Sequence, residues 1–241
     1  MVPPRQPHLK AEFALWSTGA RFVVGVDEVG TGPLCGPVVA AAVLVKPHTR
    51  KIKGVRDSKT LSAAQRERVF EEIKARALAW GLGAASVAEI ERLNVRNAAH
   101  LAMRRALRRL PPYDHVLIDG QKISGMEEHI GPYTSIVKGD ASSYAIACAS
   151  VLAKVTRDRL MTRLARRYPG YGWEHNAGYA TGDHVDGLRA HGVSPHHRRT
   201  FVRIRSILEG DQLAFELDGE AIPVEGEGEG EAAPQTAMRE G

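Results

Sequence analysis

The apolar run Phe22-Val-Val-Gly-Val stops on two adjacent carboxylates, Asp27 and Glu28, and then turns into a glycine-proline loop, Gly30-Thr-Gly-Pro-Leu-Cys-Gly-Pro37. A second β-branched run, Val38–Val45, follows at once. A connection this short makes the two runs, Phe22–Glu28 and Val38–Val45, an antiparallel pair of strands. The carboxylates are what constrain the fold. A bare carboxylate is costly to bury unless a cation or hydrogen-bond donors meet it. Two side by side repel by roughly 4 kcal/mol at about 4 Å with an effective dielectric near 20. The segment therefore calls for a positive partner, and a divalent metal ion is the simplest one.

More acidic groups share this context, in which an apolar strand ends and a carboxylate sits at the turn. His115-Val-Leu-Ile-Asp119 reads as a short buried strand stopped by Gly120, and Thr134–Lys138 reads as another, followed by Gly139-Asp140. In open α/β sheets, ligand-handling groups gather where strands end and connections turn. If these ends lie side by side, Asp27, Glu28, Asp119 and Asp140 surround one or two divalent cations. Oxygen donors suit Mg²⁺ or Mn²⁺ rather than Zn²⁺. Two such ions about 3.5–4 Å apart would activate a water and stabilise the leaving oxygen of a phosphodiester. Each residue also has a plainer role. Asp119-Gly120 is an ordinary turn dipeptide, Asp140 before Ala-Ser-Ser can cap a helix, and Asp158 pairs with Lys154 at i+4, which leaves it a reserve ligand. No ligand spacing or thiolate partner supports a zinc site among His175, His184, His191 and His196. Gly30-Thr-Gly32 is no dinucleotide fingerprint, because Pro33 and Pro37 forbid smooth entry into a helix and no Gly-Lys-Ser/Thr follows. Its main-chain N–H groups can instead approach a sugar hydroxyl or a phosphate.

The remaining pattern is α/β. An amphipathic lead-in surrounds Phe13-Ala-Leu-Trp16, within residues 1–20. Ser62 caps a helix over Gln65–Arg76, and Trp80–Val87 reads as a third strand. Asn94–Leu110 has helical spacing and carries Arg104, Arg105, Arg108 and Arg109, a solvated basic face. Ala141–Tyr168 is the longest helical pattern, and shorter helices follow over Asp183–Ala190 and His196–Leu208. Strands first, then strands alternating with helices, give an α/β fold with a mixed sheet. The expected organisation is a lead-in at 1–20, a catalytic domain at 21–165, a helical appendage at 166–208 and an acidic disordered tail at 209–241, whose Gly-Glu repeats cannot bury enough to order themselves.

Charge divides along the same line. The formal net charge is +5, yet the segment from Glu209 onward holds ten acidic residues and one Arg, a net of −9, so residues 1–208 carry +14. A basic body suggests a polyanionic partner, although ribosome-adjacent and membrane-surface proteins share the balance. No apolar run is long enough to span a membrane. With two cysteines and no Cys-x-x-Cys, a disulfide scaffold is excluded, and a reducing cytoplasm is the expected setting.

The stretch Gly25-Val-Asp-Glu-Val-Gly-Thr-Gly-Pro-Leu-Cys-Gly-Pro-Val-Val39 closely resembles the opening motif of ribonuclease HII, the type 2 ribonucleases H. The resemblance continues, in the expected order, through Asp57-Ser-Lys-Thr-Leu-Ser62, Ile118-Asp-Gly120 and Val137-Lys-Gly-Asp140. It also takes in Ala149-Ser-Val-Leu-Ala-Lys-Val-Thr-Arg-Asp158, Gly178-Tyr-Ala-Thr181 and His196-His-Arg-Arg-Thr-Phe201. It implies a ribonuclease H-like mixed five-stranded sheet flanked by helices, with a small helical C-terminal appendage. It further implies hydrolysis of the RNA strand of RNA–DNA hybrids and incision 5′ to ribonucleotides embedded in duplex DNA, leaving 3′-hydroxyl and 5′-phosphate ends. Asp27, Glu28, Asp119 and Asp140 correspond to that family's metal-binding carboxylates for Mn²⁺ or Mg²⁺. Gly30, Thr31 and Gly32 fall in the loop that senses the ribose 2′-hydroxyl, the group that separates RNA from DNA. Tyr179 matches the tyrosine that packs on the sugar, and Lys59, Lys138 and Lys154 are phosphate-contact candidates, with Lys122 a weaker one. Thr31 departs from the family's usual arginine and predicts looser substrate binding with unaltered chemistry. Cys148 stands where alanine is common and reads as core packing. His196, His197, Arg198 and Arg199 read as a compact cationic patch able to grip a duplex. The expected form is a monomer. A junction resolvase or integrase-like nuclease, and a nucleic-acid-binding module without turnover, are the competing readings.

Overall fold

The computed structural model describes residues 6–56 and 58–210. The acidic tail from residue 211 onward, Asp57 and the first five residues of the lead-in lie outside the described residues.

A sheet of five strands organises the chain, in the order β3-β2-β1-β4-β5. Its strands are β1 (Val23–Val29), β2 (Val38–Val45), β3 (Ala79–Ala85), β4 (His115–Asp119) and β5 (Tyr133–Ile136). The expected hairpin is there, β1 antiparallel to β2 with Asp27 opposite Ala41. β3 extends it antiparallel, while β4 and β5 run parallel to β1. The valine- and alanine-rich composition of β1 and β2 follows from burial on both faces. Alternate residues of a strand point to opposite sides. Val23, Ala41, Val43 and Val45 accordingly meet helix α6 (Tyr144–Arg167), while Val24, Val26, Ala40, Ala42 and Leu44 meet helix α4 (Val95–Leu107). At Gly25 the main chain of α6 comes so near that a Cβ would overlap the Ala145 carbonyl carbon and the Ile146 nitrogen. The glycine thus sets the distance between sheet and helix.

The other helices are α1 (Lys10–Ser17), α2 (Ala63–Arg76), α3 (Val87–Leu93), α5 (Glu127–Ile130), α7 (Trp173–Asn176), α8 (Gly182–His191) and α9 (Val202–Leu208). Ser62 caps α2 as expected, in a reciprocal capping box with Gln65. The same device accounts for a difference at β3. Ser86 forms a capping box with Glu89 and starts α3, so the strand ends at Ala85 rather than Val87. α3, α5 and α7 were not anticipated. β5 ends at Ile136, two residues earlier than expected, because Lys138 adopts a left-handed conformation (φ 55°). α6 starts at Tyr144, after a single 3-10 turn over Gly139–Ala141, with Ser143 as its cap. Buried Glu12 of α1 accepts from the Ser143 hydroxyl (2.7 Å) and the Ala145 N–H (2.9 Å), tying the lead-in to the start of α6. α6 continues through residue 165. Its last turns join Leu34, Tyr171, Trp173, Leu188 and Ile204 in a third apolar cluster beneath the 30–37 loop. Among the described residues no helix is long and apolar enough to cross a membrane.

Candidate active site

The four carboxylates come from neighbouring chain ends. Asp27 lies near the end of β1 and is buried, with Glu28 beside it and half-buried. β1 and β4 pair in parallel with Val26 beside Ile118, so the next residues, Asp27 and Asp119, are neighbours across the ladder. Adjacent strands lie about 4.8 Å apart. Asp119 Oδ1 accepts the Gly139 N–H (2.6 Å), which draws the 3-10 turn carrying Asp140 against the end of β4. Asp140 is buried in that turn, and Ser143 rather than Asp140 caps α6. From the floor, α6 presents Ser150, whose hydroxyl bonds Asp27 and stands 3.0 Å from the Ser58 hydroxyl.

Electrostatics records how crowded these groups are. Burial raises the Asp27 carboxyl well above the usual carboxylate range, and the charges of Glu28, Asp119 and Asp140 raise it further against the Ser150 bond. Glu28 is pushed up to about 7, first by burial and then by Asp119, with Lys59 among the groups opposing the rise. Protons therefore occupy part of this cluster at neutral pH unless a cation replaces them. The donors are carboxylate oxygens, which fit a hard divalent ion such as Mg²⁺ or Mn²⁺.

Two residues past Glu28 the chain enters the glycine loop. Gly30 is buried at φ +93°, and a Cβ there would run into the Arg157 guanidinium. Thr31 is half-buried, and Gly32 is exposed beside the Tyr179 ring, which a Cβ on Gly32 would approach to 3.7 Å. Tyr179 itself is 45% exposed. It is brought onto the loop by the Leu34 N–H bond to the Gly178 carbonyl (2.9 Å). Lys59 is exposed in the turn Ser58–Thr60 and near enough to lower Glu28, while Lys138 is exposed two residues before Asp140. Lys154 lies on α6 between Ser150 and Arg157. It pairs with Asp158 (2.8 Å), which also faces Arg66 (3.8 Å), on the wall of a cleft of about 610 Å³ rimmed by Arg159, Arg163 and Arg166. Asp158 is thus the ion-pair member that its spacing suggests.

The cationic patch at 196–199 does not exist as a patch. His197 and Arg198 are buried, and burial together with His184 pushes the His197 imidazole down to about 3, leaving it neutral. A run of basic letters reports charge but not burial, and this run folds back under the 30–37 loop. Only Arg199 of the four is exposed, and its N–H is held by Glu91 (2.8 Å). The folding also creates a trio that the spacing did not suggest. Donor atoms of Cys35, His184 and His197 lie within 4.8 Å of one another, all buried. The imidazole nitrogens there are already engaged. His184 Nδ1 donates to the Tyr179 carbonyl (2.8 Å), and its Nε2 accepts from Trp173 (3.0 Å) and from His197 Nε2 (2.9 Å). His197 Nδ1 accepts the Ser194 N–H (2.9 Å). This is a satisfied network that fastens Tyr179, not a vacant ligand set. The basic face of α4 is largely as expected, except that Arg105 forms a two-pronged pair with Glu89.

Ser150 and Arg157 contact the site region without having been singled out from the sequence, and Arg198, read there as part of a surface patch, supports the glycine loop from below instead. Their one visible signal is that all three fall inside the motifs quoted above. A family model described as Ribonuclease HII matches residues 24–206. The ribonuclease HII of Thermosynechococcus vestitus is 53% identical over 194 residues, 80% of this chain and 89% of that protein. Among solved structures, ribonuclease H2 from Pyrococcus horikoshii matches with a TM-score of 0.67 at 25% identity, covering 82% of this chain and all of that one. A Bst RNase HIII solved with Mn²⁺ matches at a TM-score of 0.63 and 22% identity, over 85% of this chain and 75% of that one. With its sheet order, its helical C-terminal part and a family match across most of its length, the chain belongs to the ribonuclease HII family of metal-dependent ribonucleases.

Proposed function

We propose that this protein hydrolyses the RNA strand of RNA–DNA hybrids and incises duplex DNA 5′ to an embedded ribonucleotide, leaving 3′-hydroxyl and 5′-phosphate ends. The observation that carries the reading is the convergence of Asp27, Glu28, Asp119 and Asp140, which with burial lifts Asp27 and Glu28 above the ordinary carboxylate range when no cation balances them. These four would hold Mg²⁺ or Mn²⁺, and the Mn²⁺ complex of the Bst RNase HIII neighbour supports an ion of this class. A bound ion pair supplies an activated water and neutralises charge on the leaving oxygen.

The remaining roles belong to the chain itself. Glu28, raised to about 7 by burial and then by Asp119, would hold the ion in its deprotonated form. Asp119 both serves the cluster and fixes the Asp140 turn through the Gly139 N–H. Gly32 leaves the main chain open to the ribose, and Tyr179, fastened through His184, offers its exposed ring to the adjoining sugar. Lys59 and Lys138 border the carboxylates and contact flanking phosphates, with Lys154 farther along the basic cleft. Thr31 offers a hydroxyl where an arginine is usual, so one phosphate contact is weaker. Incubation with a duplex carrying one ribonucleotide, product ends mapped against an all-DNA control, tests the reading. Cutting of the all-DNA duplex, or full activity of Asp27→Asn, would refute it.

A further inference from the structure

Two guanidiniums lie buried beneath the glycine loop, with no carboxylate within 4.0 Å of either among the described residues. Main-chain carbonyls surround them instead. Arg157 donates to the carbonyls of Pro37 (2.9 Å), Cys35 (3.0 Å) and Ala177 (2.8 Å). Arg198 donates to those of Gly30 (2.5 Å), Thr31 (3.0 Å) and Gly36 (2.9 Å). Five of the eight carbonyls of residues 30–37 are therefore held by two side chains that enter from helix α6 and from the C-terminal segment.

The direction of those carbonyls fixes the direction of the amides. In a trans peptide the C=O and the following N–H point opposite ways, and the described chain contains no cis peptide. With the Gly30 and Thr31 carbonyls turned inward onto Arg198, the N–H groups of Thr31 and Gly32 point outward. Neither has an acceptor among the described residues. They open on the side where Gly32 is exposed and the Tyr179 ring stands. Burying two like charges side by side is unfavourable, and burial followed by Arg157 lowers Arg198 to about 9. A lysine would not reproduce the arrangement, since one ammonium lacks the planar fork that reaches several carbonyls in fixed directions.

We propose that Arg198, seconded by Arg157, is a positioning residue that turns the loop carbonyls inward and thereby holds the Thr31 and Gly32 amides facing the ribose. This rests on the reading of residues 30–32 as the ribose-sensing loop. The fork does not involve the Thr31 side chain, so it is expected to hold the loop in the same way with either threonine or arginine at that position. The same fork gives the C-terminal segment a part in specificity from below the loop.

The test is binding preference, which a general loss of stability does not change. Anisotropy titrations of a duplex with one ribonucleotide and of its all-DNA counterpart, with Ca²⁺ in place of Mg²⁺, give a ratio of dissociation constants for each protein. Arg198→Lys should reduce that ratio about tenfold, with the all-DNA affinity altered less than about twofold. If melting curves show that Arg198→Lys does not fold, Phe201→Leu takes its place. The Phe201 ring lies 5.1 Å from the Arg198 guanidinium, and its loss loosens the fork without removing the charge. A reduction of about threefold is expected there. A folded variant that keeps the parental ratio overturns the proposal. A parent that binds both duplexes equally overturns the ribose-sensing reading itself.

Discussion

Asp119→Asn should stabilise the metal-free protein at alkaline pH while removing its activity. Asn is nearly isosteric and keeps an Oδ1 to accept the Gly139 N–H, so the turn carrying Asp140 stays in place. What disappears is one negative charge beside Asp27 and Glu28, each of which Asp119 raises. Moving Glu28 from its ordinary 4.5 to about 7 costs roughly 3 kcal/mol at a pH above both values, at about 1.4 kcal/mol per pH unit. Burial is the larger cause and Asp119 the next, so the substitution should return about 1 kcal/mol. The sign follows from linkage. A carboxyl whose folded pKa is raised keeps its full contribution below the unfolded value and loses it as pH rises through the folded one. The gain should therefore be absent near pH 4.5 and complete above pH 7, worth about 2–4 °C in melting temperature for a domain of this size. Melting curves in EDTA at pH 5 and pH 8 measure it. Equal shifts at the two pH values, or destabilisation at pH 8, would refute the claim that these carboxylates repel one another.

Four further outcomes follow from the geometry. Thr31→Arg should tighten binding to an RNA–DNA hybrid at moderate salt by adding a phosphate contact and should steepen its salt dependence; unchanged affinity would count against the assigned place of Thr31. Because His197 is held down to about 3 by burial and then by His184, the unfolded chain takes up a proton that the fold refuses as pH falls below about 6.5. Urea unfolding should then show stability dropping by about 1 kcal/mol between pH 6.5 and 5.5, a component missing from His197→Gln. Gly25→Ala should cost about 3 kcal/mol or prevent folding, because the added methyl meets the main chain of α6; a variant of parental stability would contradict the packing described. Addition of Mn²⁺ should raise the melting temperature of the parent far more than that of Asp27→Asn, since only an intact carboxylate set binds the folded state strongly.

Much of this was legible because local chemistry and fold agree in the centre of the molecule. β1 and β2 are buried on both faces, so their sequence is apolar throughout and stops where the carboxylates must emerge. Asp140 was ambiguous for a physical reason, since an acidic residue before Ser-Ser suits either a helix cap or a ligand. The structure gives the cap to Ser143 and leaves Asp140 beside the others. α3 was hidden because Ala79–Ala85 and the helix after it meet at a single serine, which reads as a strand residue until its capping box with Glu89 is seen. The 196–199 segment misled because charge is written in the sequence and burial is not. Arg198 finds its partners in carbonyls more than 160 residues away, and His197 finds His184 through tertiary folding. Carbonyl acceptors belong to every residue, so no pattern of side chains announces a site like that of Arg198.

Anomalous diffraction from crystals soaked in Mn²⁺ bears most directly on the central claim. The account predicts manganese peaks within coordination distance of Asp27, Glu28, Asp119 and Asp140 together, lost in the Asp27→Asn protein. Manganese bound only at Asp158, or at the Cys35–His184–His197 trio, with none among the four carboxylates, would contradict it.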